Sequence, residues 1–181
     1  RAAVETELLA ICESFSAGDS DKADILRAHI EILNDIAITE EVERRIRSEH
    51  MTYQYAIETT FTLFGNMMAS LDDPLLKERA ADVQDVKCRL LCACLGVRRA
   101  SLKDVREPSI ICAHDLLPSD TATLNRAMVA GIVTETGGVT SHSAIIARSY
   151  GIPAILGVER AMGAVSGGDM LILDASTGEV V

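Results

Sequence analysis

The apolar residues of this chain change their spacing once, near residue 100, and that change restricts the fold to two dissimilar halves. In the first half Val4, Leu8, Ile11 and Phe15 recur at intervals of four, three and four, which lines them along one stripe of an α-helix. Gly18 is placed to end that helix. A second helix carries Leu26, Ile30, Leu33 and Ala37, and a short one is expected over residues 40–48 behind an N-cap at Thr39. Thr52 opens another, with Tyr53, Ala56, Ile57, Thr60, Phe61 and Phe64 on its stripe. Asp73-Pro74 is a cap followed by proline at the first helical position, and Leu76, Ala80, Val83, Leu90 and Cys94 then lead to Gly96. Antiparallel packing of about four helices hides such stripes.

After Leu102 short apolar runs separated by turn residues take over. Residues 109–113, 129–134, 153–156 and 170–173 read as strands, with helical stretches near 119–126 and 141–150. Alternating strand and helix makes a small α/β layer fold. The expected class is therefore α plus α/β: a helical bundle subdomain over residues 1–97 and a small α/β domain over residues 98–181. The connector, roughly 97–108, carries Arg98, Arg99, Lys103, Asp104, Arg106 and Glu107 and reads as a solvated linker.

Acidic residues number 27 against 17 Lys and Arg, a formal net charge of −10, and aromatics are 3% with no Trp. Such a chain repels phosphate backbones and offers few stacking platforms, so nucleic acid is excluded as a partner and a basic protein fits better. No apolar run approaches the roughly 20 residues that span a bilayer, so no membrane insertion is expected. The five cysteines lack Cys-x-x-Cys pairing and read as small apolar fillers in a reducing, cytoplasmic compartment. Arg1 already lies inside a helical pattern with no cap before it, which reads as a piece of a longer parent.

The segment richest in chemistry is Thr136-Gly137-Gly138-Val139-Thr140-Ser141-His142-Ser143, between an expected strand and a helix that runs on through Arg148. Two glycines permit a tight turn and close approach to a ligand. Thr140 or Ser141 can cap the helix, whose first free N–H groups suit an anion. A histidine in that first turn meets the positive end of the helix dipole, which disfavours protonation by about 0.3–1 kcal/mol and keeps the imidazole neutral and nucleophilic. The same N–H groups would steady a phosphoryl group once attached. His142 is thus a candidate phosphoryl carrier, although spacing alone also admits a structural histidine. His50, expected on a solvated helix end, and His114, at a strand end, have no metal-ligand partner at useful spacing, and no metal site is expected.

Gly-Gly-Val-Thr-Ser-His-Ser-Ala-Ile-Ile-Ala-Arg, followed by Gly-Ile-Pro-Ala-Ile-Leu-Gly, resembles the phosphohistidine signature of phosphoenolpyruvate-utilising enzymes. That group includes Enzyme I of the sugar phosphotransferase system, pyruvate phosphate dikinase and phosphoenolpyruvate synthase. The resemblance puts His142 on the phosphorylated histidine, with the phosphoryl group on Nε2, and Arg148 on the motif arginine. Residues 28–33, 76–86 and 115–121 are similar to Enzyme I rather than to the dikinases. This implies the amino-terminal domain of Enzyme I, or of a multiphosphoryl-transfer relative serving sugar transport. A first strand would then precede Arg1, and a barrel binding phosphoenolpyruvate and magnesium would follow Val181; no cofactor falls to this chain itself. It further implies a monomeric fragment of a dimeric parent.

The resemblance also implies a partner, the small phosphocarrier HPr, received on the helical half by His29, Ile32, Ile38, Met68, Leu71, Leu75 and Arg79. From the residues alone, the second helix bears an extra apolar stripe of Ile25, His29, Ile32 and Ile36, which fits either docking or a two-sided core helix. Two departures stand out. Leu117 occupies a position where the family commonly has a threonine whose hydroxyl holds the resting histidine, and Asn34, Ile36 and Ala37 stand where carboxylates would attract a basic carrier, so altered carrier choice is expected. Thr140, Ser141, Gly137, Gly138 and Arg148 complete the phosphate neighbourhood, Arg148 either offering charge or pairing within the fold. Two other readings are the swivelling domain of a dikinase or synthase, and an acidic helical interaction module in which His142 is inert.

Overall fold

The computed structural model describes residues 1–13, 15, 20–97, 101–139 and 141–181. It divides into two compact units, Arg1–Arg99 and Ala100–Val181.

The first unit holds five helices among the described residues: α1 Ala2–Glu13, α2 Ser20–Leu33, α3 Ile36–Ser48, α4 Tyr53–Ser70 and α5 Pro74–Leu95. Their ends are set by local chemistry. Thr52 Oγ1 accepts from Tyr55 N at 3.4 Å to open α4, and an Asp73 carboxylate oxygen accepts from Leu75 N at 2.9 Å to open α5. Gly96 closes α5 in the left-handed conformation at φ 65°, its N–H reaching the carbonyls of Cys92 and Ala93. The expected cap at Thr39 is corrected. Asp35 caps α3 instead, its Oδ1 accepting from Ile38 N at 3.0 Å, while the Thr39 hydroxyl bonds back to the Asp35 carbonyl at 2.8 Å from inside the helix. Ile36 and Ala37 therefore belong to α3 and not to the second helix. Gly18, expected to end α1, lies outside the described residues.

Val4 and Leu8 of α1, Leu26 and Leu33 of α2, Ile57 and Phe61 of α4 and Val83, Val86 and Leu90 of α5 form one buried cluster. Because α2 packs against both α1 and α5, it buries two faces. Of the extra stripe, His29 and Ile32 are thus part of the core and Ile25 is half-buried, while Ile36, on α3, is 71% exposed. On α3, Glu41 bonds to both Arg44 and Arg45, which holds its carboxyl down to about 2.

In the second unit β1 Ser109–Ala113, β2 Val129–Thr134 and β3 Ala154–Leu156 make a parallel sheet in the order β1-β2-β3. Helices α6 Pro118–Ala122 and α7 His142–Tyr150 connect them, α8 Ala161–Ala164 follows, and β4 Leu173–Asp174 pairs antiparallel with β5 Glu179–Val180. A second core gathers Leu116, Leu124, Val129, Ile132, Ala147 and Ile152. The strand expected over 170–173 shrinks to its last residue: Met170 is 93% exposed, and the hairpin turn 174–178 draws pairing toward the end of the chain. Pro153 precedes β3, since it has no N–H to give the ladder, though its carbonyl accepts from Ile132 N at 3.0 Å. Parallel strands bring their carboxyl ends, and the loops after Ala113, Thr134 and Leu156, to one edge of the sheet.

Candidate active site

The chain leaves β2 as a continuation of the ladder. Glu135 N donates to Ala113 O at 3.1 Å and Thr136 N to His114 O at 3.0 Å, which steers the backbone outward to Gly137. Gly137 adopts φ 97°, and a Cβ there would stand 3.1 Å from Ser141 Oγ, so only glycine makes this turn without strain. Gly138 faces open space where its Cβ would be. Ser141 then caps α7, its Oγ accepting from Ala144 N at 3.2 Å. His142 is the first residue of that helix, half-buried. Thr140 lies outside the described residues.

The hydroxyl holding His142 comes from Thr121, on α6, and not from position 117. Thr121 is 2% exposed, and its Oγ1 lies 2.8 Å from His142 Nε2 and 2.8 Å from the Pro118 carbonyl. With its single hydrogen on Pro118 O the hydroxyl accepts from Nε2, and with that hydrogen turned to the ring it donates to the Nε2 lone pair. In either arrangement the hydroxyl engages Nε2, the atom that resemblance makes the acceptor of phosphorus. Leu117 sits just before α6, and its N–H donates to an Asp120 carboxylate oxygen at 3.0 Å.

Ser143, 1% exposed, ties α7 to the loop after β1: its Oγ reaches Asp115 Oδ1 at 3.3 Å and the Leu116 carbonyl at 3.4 Å, and the same Asp115 oxygen accepts from Leu116 N at 2.8 Å. At the outer edge, His114 Nδ1 lies 2.9 Å from Glu135 Oε2, while Glu135 Oε1 accepts from Met162 N at 3.0 Å. The His114 bond first, and the Met162 N–H second, hold the Glu135 carboxyl below the usual range. Sequence spacing missed Thr121, Ser143 and Asp115. The available signal was a run of small hydroxyl residues around Pro118 within a stretch already marked as similar to a family loop.

The Arg148 side chain is exposed and makes no hydrogen bond or ion pair among the described residues. It lines a cavity of about 310 Å³ together with Gly138, Val139, Ala144 and Ile152. A guanidinium free to bind an oxyanion beside a glycine turn suits a phosphoryl group. Three or more His, Cys, Asp or Glu side chains nowhere converge as a metal set among the described residues.

On the helical unit the seven expected contact residues separate into two groups. Leu75 is 70% exposed, Leu71 and Arg79 are exposed, and Met68 is half-buried. His29, Ile32 and Ile38 are corrected: they are 0%, 9% and 3% exposed and belong to the interior, because α2 is covered on two sides and Ile38 turns inward from the α3 start. The five cysteines are half-buried and form no disulfide among the described residues, and burial raises the Cys12 and Cys112 thiols above the ordinary range. No helix among the described residues is long and apolar enough to cross a membrane.

Comparison with known proteins agrees with this geometry. The family model for the PEP-utilising enzyme N-terminal domain matches residues 1–79, and that for the PEP-utilising enzyme mobile domain matches residues 105–178. The phosphoenolpyruvate-protein phosphotransferase of Bacillus subtilis (strain 168) is 42% identical over 161 residues, covering 89% of this chain and 28% of its own length. That of Listeria innocua is 42% identical over 178 residues, covering 97% of this chain and 31% of its own. The chain thus spans less than a third of these relatives. Among solved structures, an NMR solution structure of Enzyme I (nEIt) superposes with a TM-score of 0.78 at 38% identity, covering 99% of this chain and 73% of that one. The N-terminal domain of an Enzyme 1 of the nitrogen type superposes at 0.58 with 25% identity over the same shares. The two-unit architecture, the glycine turn with its histidine and these likenesses agree that the chain belongs to the PEP-utilising enzyme family, as an amino-terminal region of the Enzyme I type.

Proposed function

We propose that this chain is the phosphoryl-carrier region of a phosphoenolpyruvate-protein phosphotransferase, relaying a phosphoryl group through His142 to a histidine of HPr. The observation that supports this most is the half-buried imidazole at the first position of α7, directly after the glycine turn and with a hydroxyl 2.8 Å from its Nε2.

The chemistry is in-line displacement at phosphorus, which depends on positioning and charge stabilisation more than on covalent work by the protein. Before it can react, the ring turns from Thr121, and its proton resides on Nδ1, leaving the Nε2 lone pair free. That lone pair forms a nitrogen–phosphorus bond as the bond from phosphorus to the enol oxygen of phosphoenolpyruvate breaks, and the enol oxygen leaves with the electron pair. In the second transfer the His142 nitrogen–phosphorus bond breaks as the carrier's histidine forms its own. Gly137 shapes the turn, Gly138 leaves room for the phosphoryl oxygens, Thr140, Ser141 and the first N–H groups of α7 surround them, and Arg148 offers charge. Phosphoenolpyruvate and magnesium belong to a further domain of the parent, and no residue here is assigned to that ion. Met68, Leu71, Leu75 and Arg79 form the face on which HPr docks, in a cytoplasmic protein of sugar uptake.

Incubation with phosphorylated HPr is expected to label the chain reversibly with acid-labile phosphate, and phosphoenolpyruvate alone is expected to leave it unlabelled. Labelling only by a nucleotide-binding domain would instead support the dikinase-type reading, and labelling by no donor would leave an interaction module. Thr121→Val should shift the phosphorylation equilibrium toward phospho-His142 by roughly two- to tenfold, because a resting-state hydrogen bond of about 0.5–1.5 kcal/mol is removed. The equilibrium distribution of label between chain and carrier measures this, and an unchanged distribution would contradict the role given to Thr121.

A further inference from the structure

A histidine enclosed in a helical core, with one partner, is an unusual feature to carry for packing alone. His29 on α2 is 0% exposed; its Nε2 lies 3.2 Å from Asp82 Oδ1 on α5, and its Nδ1 has no hydrogen-bond partner among the described residues. An ionised carboxylate only accepts, so Nε2 donates, and the buried Nδ1 is left as the lone-pair nitrogen. Asp82 has a second oxygen. Oδ2 lies 3.9 Å from Nη1 of Arg79, one helical turn earlier on the same exposed face, where Arg79 is 45% and Asp82 16% exposed. The carboxylate is thus held from behind by a group with no alternative partner, and it presents its outer oxygen to a cation at the surface.

We propose that Asp82, pinned by the buried His29, is a positioning residue that orients the Arg79 guanidinium for docking of the phosphocarrier. The inference rests on the docking face proposed above and reassigns His29 from a contact residue to a support behind that face. Two features favour positioning over simple stability. The Asp82 to Arg79 distance is long for an ion pair, so the contact biases direction without immobilising the arginine, and the buried nitrogen partner leaves Asp82 little freedom to follow it. A guanidinium aimed outward with its charge only loosely engaged retains donors for an acceptor on the arriving protein.

The test measures phosphoryl transfer from phosphorylated HPr to the whole chain, with KM and kcat separated. Asp82→Asn keeps the side-chain volume and an oxygen to accept from His29, while removing the charge that faces Arg79. It is expected to raise KM about two- to fivefold, the range open to an exposed pair, with kcat within about twofold. Arg79→Ala should raise KM at least as far, and the double variant no further than Arg79→Ala alone, since Asp82 acts through Arg79. His29→Leu should also raise KM, and His29→Gln, whose amide can donate to the same carboxylate, should restore it. If Arg79→Ala raises KM while Asp82→Asn does not, or if the two effects add, this proposal is overturned and the docking face stands. A KM unmoved by Arg79→Ala overturns both.

Discussion

Arg148→Ala is expected to slow phosphorylation of His142 on the order of a hundredfold while leaving thermal unfolding almost unchanged. The two halves of that expectation have separate causes. Arg148 is exposed, and no hydrogen bond or ion pair of the described fold depends on its side chain, so truncation removes little stability, within about 0.5 kcal/mol. Arg148 nevertheless lines a cavity with Gly138 and Val139 of the turn that leads into His142, and in the proposed transfer its guanidinium supplies charge to the phosphoryl oxygens. A donor aimed at developing charge typically contributes about 10²–10³ in rate, and solvent exposure here argues for the lower end. Arg148→Lys should fall between, because an ammonium supplies charge without the planar fork that grips two oxygens. Single-turnover transfer from phosphorylated HPr measures the rate and a melting curve the stability. Undiminished transfer in Arg148→Ala would return this residue to a structural or incidental role.

Local chemistry was the part of the fold most legible in the sequence. The strands over Ser109–Ala113 and Val129–Thr134 have the bounds that their β-branched runs and flanking turn residues imply, and the caps at Thr52, Asp73 and Gly96 act through their expected atoms. Where two caps competed within one short stretch the outcome was not legible. Asp35 and Thr39 are both good cap residues, and Asp35 prevails because its backbone at ψ 126° is extended, aiming its carboxylate at Ile38 N. Asymmetry of burial was equally hidden. An apolar stripe on α2 reads the same whether a partner protein or the neighbouring helices cover it, and here α1 and α5 do so.

The site was legible in proportion to how local it is. Gly137, Ser141 and His142 are neighbours in sequence, so their shared loop and helix start follow from adjacency. Thr121 stands 21 residues before His142 and meets it only because the parallel pairing of β1 with β2 brings the loops after both strands to one sheet edge. No local periodicity encodes that meeting. Ser143 meets Asp115 across 28 residues for the same reason.

The central claim is that one imidazole, at the start of α7, holds and releases phosphorus. The other histidines are poorly suited: His29 is buried, His50 stands exposed beyond the end of α3 and His114 is engaged with Glu135. Because Ser141 and Ser143 provide the cap and the loop tie without help from the ring, His142→Ala should keep the fold and the docking face. The most direct measurement exposes the chain and its His142→Ala variant to phosphorylated HPr and counts acid-labile phosphate on each. The account predicts one labelled site on the chain, at Nε2 of His142, and none on the variant. Label gained by the folded variant at an undiminished rate would contradict it.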